Sequence, residues 1–388
     1  MNFFALVLVA SPLATFTYAY LAYPALLRLI ASARPRPKPL GDPSSWPLVT
    51  ITLPVYNEEH RLRRKLDELL QLDYPADRRH ILVISDASTD ATDAIAREYA
   101  DRGVELLRLG SRGGKSAAEN AAGAALRGEI VVNSDATVQV PPHAFKPLIR
   151  AFQDPTVGVA SGRDVSVGAV EKEANGGEQG YVGYEMWVRA LETRAGSIVG
   201  ASGCFYGIRR EIYDSAFPAE LSRDFASALM ARENGYRAVS VDEAICYVPR
   251  TKSLDSEFRR KIRTMARGLE TMWFKRHLMN PFRHGFFAFA LLSHKLARWL
   301  VYATLPLAVV GLALLAPSSR IAASLLTLTI LTTLVGLLPL WWPSDRKVPR
   351  PLALLGFIVA SNIAGIAAWL RVLRREHTAF WEPTRRTA

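Results

Sequence analysis

Cysteine is nearly absent from this 388-residue chain, which carries only Cys204 and Cys246. So few thiols exclude a disulfide-stapled secreted scaffold and any cysteine-based zinc spacing, and they fit a reducing compartment. Charge is missing as well from Met1 to Leu27, Arg28 being the first charged residue. An uncharged run of that length suffices to cross a bilayer. A cleaved secretion signal would have a basic start and a shorter apolar core, so residues 1–30 read as an uncleaved transmembrane anchor. Arg28, Arg34, Arg36 and Lys38 follow it, and the positive-inside rule assigns that side to the cytoplasm. No internal repeat is visible.

What is present is an excess of base, 48 Lys and Arg against 36 Asp and Glu, for a net charge of +12. Many of the basic residues flank apolar segments, so a lipid bilayer with anionic headgroups, and no nucleic acid, is the expected partner. Residues 31–47 form a proline-rich linker unable to enter a helix or sheet. Residues 48–250 then alternate short apolar runs with amphipathic stretches. Strands are expected over 48–55, 80–85, 104–109, 129–134 and 157–162, with two more short ones over 237–248. Helices are expected over 58–72, 90–102, 114–127, 181–195 and 223–234, and a glycine- and glutamate-rich loop over 166–183. Such β-α-β-α order predicts an α/β domain built on a mostly parallel, Rossmann-like sheet.

From Ser256 to His277 the residues Phe258, Ile262, Met265, Leu269 and Met272 recur at helical spacing among Arg and Lys. This is a basic amphipathic helix suited to a membrane surface, and residues 251–295 are assigned to interfacial helices. Residues 296–371 hold three spanning candidates (296–316, 321–342 and 352–370), with Trp299, Trp341, Trp342 and Trp369 near their ends as interfacial anchors. Charge placement conflicts with this count. Three crossings after a cytosolic domain leave the arginine-rich tail, 372–388, on the outer side. Either one segment does not span or the tail breaks the rule.

The chemistry gathers where strands end. Ile130-Val131-Val132-Asn133-Ser134 runs into Asp135, and the carboxyl ends of strands in an open α/β sheet are where ligands bind. A carboxylate there also suits a helix cap. In order along the chain come Leu53-Pro54-Val55-Tyr56-Asn57-Glu58-Glu59, Ser85-Asp86-Ala87-Ser88-Thr89-Asp90, Arg112-Gly113-Gly114-Lys115-Ser116 and Ser134-Asp135-Ala136-Thr137. They are followed by Gly180-Tyr181-Val182-Gly183-Tyr184-Glu185, the glycine-rich Gly200 to Arg210, and Arg223-Asp224-Phe225. Together these resemble the family 2 glycosyltransferases of GT-A fold over residues 48–280, and the flanking apolar segments are similar to those of the cellulose and hyaluronan synthase branch.

The resemblance implies an inverting enzyme, which the apolar segments, the positive-inside rule and the alanine- and arginine-rich usage place by expectation in a bacterial inner membrane, multi-pass, with its catalytic domain cytoplasmic. It would transfer a hexosyl or N-acetylhexosaminyl group from a nucleotide diphospho-sugar, UDP-linked by expectation, to a growing cell-surface glycan. The alternatives are single-sugar transfer to a polyprenyl-phosphate or other lipid acceptor, and a catalytically silent scaffold for another synthase. Donor contacts are expected from Pro54, Tyr56, Glu58, Asp86, Lys115 and Asp135. Lys115, following two glycines at a helix start, is placed for phosphate. Asp135 matches the first Asp of the family's D-x-D motif and is the expected ligand of Mg2+ or Mn2+. The third position is Thr137, whose neutral hydroxyl is the poorer ligand. Asp224 aligns with the catalytic base, preceded by Arg223 where an acid is usual, and that cation is expected to favour its ionised form. Glu185, Trp187 and Gly203 fall on the acceptor side. Arg260 and Arg263 stand where the processive synthases carry a Q-x-x-R-W motif, as cations for the diphosphate, but the stacking tryptophan is missing.

Overall fold

The computed structural model describes residues 3–35, 40–167, 176–213, 216–249, 254–342, 346 and 348–376. Parts of the expected linker, of the 166–183 loop and of the basic tail lie outside these residues. Seven strands form one sheet: β1 (Val49–Val55), β2 (Arg79–Ser85), β3 (Val104–Arg108), β4 (Ile130–Ser134), β5 (Val157–Val167), β6 (Phe205–Arg209) and β7 (Arg237–Pro249), in the order β3-β2-β1-β4-β6-β5-β7. The first four pair in parallel, and β6 runs antiparallel between β4 and β5. β1 is buried at every position, as an apolar run covered on both faces should be.

Helices α1 (Phe3–Ser32), α2 (Glu59–Leu70), α3 (Thr92–Glu98), α4 (Lys115–Ala121), α5 (Phe145–Arg150), α6 (Gly176–Ala195) and α7 (Arg223–Glu233) lead to α8 (Leu254–Phe274). The chain then continues into α9 (Phe286–Leu315), α10 (Arg320–Trp341) and α11 (Arg350–Leu373). Four of these, α1, α9, α10 and α11, are long and apolar enough to cross a membrane. The sheet carries one core on each face, around Leu53, Leu66 and Phe145 on one side and around Val131, Tyr206 and Met230 on the other. A third cluster joins Tyr23 and Leu27 of α1, Val188 of α6, Met265 and Leu269 of α8, and Leu291 of α9, so the long apolar helices α1 and α9 pack directly on the domain.

Three expectations are corrected. Residues 237–249 form one strand: it follows β5 along its length, and a register irregularity absorbs the exposed Asp242-Glu243 pair that interrupts its pattern. α9 begins at Phe286, ten residues before the expected span, because Leu291–Leu296 continues it as a π-helical segment despite His294 and Lys295. Trp299 and Trp369 are not free anchors, since the Trp369 indole N–H donates to the Trp299 carbonyl at 2.8 Å.

Candidate active site

The carboxyl ends of β1 and β4 open on a cavity of about 420 Å³. That is the size of a small-molecule site. Two loops on this rim hold non-glycine residues in the left-handed region, Asn57 at φ 52° and Ala87 at φ 58°. They are fixed to each other: Asn57 accepts at 2.8 Å from the Thr89 N–H, and Asn57 N–H donates to Ser88 Oγ at 3.1 Å. Strained backbone of this kind persists where surrounding bonds over-determine it, and it concentrates at functional sites.

Pro54, Tyr56, Glu58, Lys115, Asp135, Gly203, Asp224, Arg260 and Arg263, all singled out in the sequence, line this one cavity. Glu58 is buried, and burial lifts its carboxyl above the ordinary carboxylate range. Tyr56 carries the Arg112 guanidinium over its ring at 3.9 Å, a cation–π contact that fixes one flat edge of the site. Lys115 Nζ donates to Asp135 Oδ1 at 2.5 Å and to the Gly203 carbonyl at 3.0 Å. Burial would discharge this ammonium, but Asp135, Glu119 and Asp224 outweigh it and raise the lysine above its usual value. It is therefore a fixed positive charge in the centre of the cavity.

Asp224 opens α7. Its Oδ1 accepts from Ser222 Oγ at 2.6 Å and from the Phe225 N–H at 2.9 Å. Its Oδ2 lies against Gly203, where a Cβ would overlap it. Glycine is thus required by the carboxylate itself, and one oxygen remains directed at the cavity. Arg223, expected to act on Asp224, turns the other way. It is buried against Glu119, hydrogen-bonds Asn120 and lies 4.8 Å over the Tyr213 ring. Residues adjacent on a helix point about 100° apart, which sequence adjacency does not convey.

Three expected site residues play other parts. Asp86 is buried, does not line the cavity, and gives both oxygens to the loop before α4, accepting from Gly113 N–H at 2.7 Å and Gly114 N–H at 2.8 Å. The N–H groups of the two glycines before Lys115 are thereby engaged within the protein. Trp187 is 45% exposed and absent from the cavity wall. Glu185 reaches the wall but is clamped by Arg298 Nη1 at 2.5 Å, His294 Nε2 at 3.1 Å, Lys295 Nζ at 3.4 Å and Arg189 Nε at 3.5 Å. Burial opposes its ionisation, yet these cations hold the carboxyl well below the carboxylate range.

Sequence reasoning missed the far wall. Lys295 and Trp299, from the domain end of α9, close the cavity together with Arg267 and Gly268 of α8. Arg267 is pinned by the Ser116 hydroxyl at 2.9 Å and the Ala219 carbonyl at 3.0 Å. The only available signal was a basic pair, His294-Lys295, inside an apolar run, where charge is costly unless used.

Among the described residues no three His, Cys, Asp or Glu side chains converge as a metal site. A hard divalent ion that also takes ligands from a bound diphosphate needs only one or two protein oxygens. Asp135, with the Thr137 hydroxyl beside it in the wall, fits that shared arrangement.

Residues 50–217 match the family model described as glycosyl transferase family 2. A beta-monoglucosyldiacylglycerol synthase from Nostoc sp. is 30% identical over 48% of this chain and 41% of its own length. An N-acetylglucosaminyltransferase from Mesorhizobium japonicum is 27% identical over 58% of each. The chain thus spans less than two thirds of the length of these relatives. Among solved structures, the mannosyltransferase PcManGT from Pyrobaculum calidifontis, in complex with GDP-Man and Mn2+, superposes with a TM-score of 0.73 at 24% identity, covering 96% of this chain and 99% of that one. The fold is GT-A.

Proposed function

We propose that the chain moves a single sugar from a nucleotide diphospho-sugar to an acceptor held in the membrane, with inversion at the anomeric carbon, a reading supported by the match of residues 50–217 to glycosyl transferase family 2. The observation that carries the lipid acceptor is the cavity's far wall. Lys295 and Trp299 belong to an apolar helix, so the pocket that begins at the strand ends finishes at a membrane segment. An acceptor in the leaflet reaches the reacting carbon along that wall without leaving the bilayer. The glucosyl-lipid synthase among the relatives points the same way.

In this reading Tyr56 and Pro54 border the base, and the diphosphate lies beside Lys115, Arg260, Arg263 and Arg267. The Asp224 oxygen facing the cavity takes the acceptor hydroxyl's proton as that oxygen attacks the anomeric carbon. The bond to the diphosphate breaks on the opposite face, and the cations receive the charge that develops there. A bound Mg2+ or Mn2+, held by Asp135 and Thr137, would supply further neutralisation of the diphosphate. Asp86 acts indirectly, by keeping the Gly113-Gly114 turn in place under Lys115.

The test is nucleotide release by the full chain in detergent, offered UDP- and GDP-sugars with Mn2+ or Mg2+. Diacylglycerol, polyprenyl phosphate and a soluble oligosaccharide are compared as acceptors. A lipid is expected to raise release of one nucleotide about tenfold or more. Stimulation by the oligosaccharide alone would instead support glycan extension. Bound but never cleaved nucleotide-sugar would support the scaffold. A second expectation concerns Gly203→Ala, which adds a methyl group where Asp224 Oδ2 lies. Its turnover should fall at least as far as tenfold with the melting temperature nearly unchanged, because the methyl group moves a cavity carboxylate and fills no core space.

A further inference from the structure

The four apolar helices are not equivalent. α1 and α9 run antiparallel over their full length, with Gly311 against Ala5 and Val9 at one end and Tyr18 Oη 2.7 Å from Ser293 Oγ at the other. α10 starts at the far end, where Ala322 joins Ala5, Leu312 and Leu315, and returns toward the domain. At 1.5 Å per residue, Gly336 of α10 and Trp299 of α9 both lie roughly 20–25 Å from that far end.

α11 touches both of these levels. Near its start, Val359 and Leu355 pack on Gly336, and Gly356 packs on Pro339. Near its end, Gly365 meets the Tyr302 ring and Trp369 bonds the Trp299 carbonyl. A crossing helix would climb about 20 Å between Gly356 and Trp369 and arrive beside the far ends of α9 and α10. Instead its two ends stand at one depth. Along the way it lies on α8: Lys261 Nζ is 3.9 Å from the Phe357 ring centre and 2.5 Å from Ser361 Oγ, and Ala368, Trp369 and Val372 share a cluster with Met265, Leu269 and Met272. Ser361 is the midpoint of α11, and in a spanning helix the Lys261 ammonium would be carried to the bilayer centre with it.

The faces of α11 agree. Ala353, Gly356, Ala364, Gly365 and Ala368 are buried against the protein, while Leu354, Ile358, Ile363, Leu370 and Leu373 are exposed. Arg350 stands at one end, with Arg371, Arg374 and Arg375 at the other. An apolar face between basic ends is the pattern of a helix lying in the headgroup region.

We propose that α11 does not cross the membrane but lies flat in the leaflet facing the catalytic domain, its Leu354–Leu373 face on the acyl chains. The chain then crosses three times, through α1, α9 and α10, and residues after Leu373 are on the same side as the domain. This removes the charge conflict seen in the sequence, because the arginine-rich tail joins the basic side. It also gives α8 a defined place, between α11 and the cavity that Arg260, Arg263 and Arg267 line.

Two measurements on the full chain test this without reference to activity. In sealed vesicles, Thr387→Cys should react with a membrane-impermeant maleimide, over the background of the parent chain, in the orientation that labels His60→Cys on the domain. It should be protected in the orientation that labels Ser318→Cys between α9 and α10. Nitroxides at Leu354→Cys, Ile363→Cys and Leu373→Cys should give immersion depths within about 5 Å of one another in bilayers, since the three lie along one flat axis. Labelling of Thr387→Cys with Ser318→Cys, or a depth that changes steadily by about 20–30 Å along the helix, would overturn the assignment.

Discussion

Asp224→Asn is expected to lower sugar transfer by about 10²–10⁴-fold, the usual contribution of a positioned general base, while nucleotide-sugar binding and the melting temperature stay near those of the parent. The geometry separates the two readouts. Ser222 Oγ and the Phe225 N–H both donate to Oδ1, which an asparagine amide retains as its carbonyl oxygen. The substituted atom is the one facing Gly203 and the cavity. Folding therefore loses no hydrogen bond, and only the group able to accept a proton is removed. Single-turnover transfer and a donor-binding titration on the same sample check this. Turnover equal to the parent's would remove Asp224 from the reaction. Loss of donor binding together with turnover would make it a ligand rather than a base.

The largest effect on stability is expected at Glu185→Gln, a loss of about 3–5 kcal/mol. The side chain is buried where α6 meets α9, and its charge balances Arg298, His294, Lys295 and Arg189. Removing it leaves Arg298, Lys295 and Arg189 in a poorly hydrated junction whose remaining carboxylate, Glu192, is held by His294 Nδ1 at 2.6 Å and by the Tyr23 hydroxyl at 2.7 Å. Detergent-based thermal unfolding should show the domain and membrane helices separating at lower temperature. The pH dependence has a fixed sign. Because the folded protein holds Glu185 well below its ordinary value of 4.5, the stabilisation is complete above that pH and is lost as pH falls through the depressed folded value. The parent's advantage over Glu185→Gln should therefore shrink on acidification below about 4.5. A difference that does not change with pH would mean that packing, rather than charge, holds the junction.

Both variants probe one architecture. The sheet presents Tyr56, Glu58 and Asp135 on its rim, α8 and α9 complete the opposite wall, and Glu185 fastens α9 to the domain. Fastening and chemistry share a wall, since Lys295 contacts Glu185 and also lines the cavity. Movement of α9 relative to α6 would alter the cavity directly.

What the sequence determined by itself was local or strictly ordered. Residues 49–55, 79–85 and 130–134 are rich in the apolar and β-branched types that suit a buried strand, and 104–108 follows them at the sheet edge. The ligand-bearing rim follows from them, because parallel strands joined by crossover helices put all their carboxyl ends on one side. Tyr56, Lys115 and Asp135 could be placed on that rim for this reason, whereas Asp224, in the first turn of α7, was placed by the family resemblance alone. Tertiary structure decided the directions in which side chains point and the partners they meet. Asp86 and Arg223 turn inward to Gly113-Gly114 and to Glu119, pairings set by backbone folding across 27 and 104 residues. Lys295 and Trp299 enter the site only because the long apolar helix α9 docks on the domain. The direction of α11 is not carried by its composition at all. An apolar helix of 24 residues suits a crossing or a surface equally well by length, and its contacts with α8, α9 and α10 choose between them.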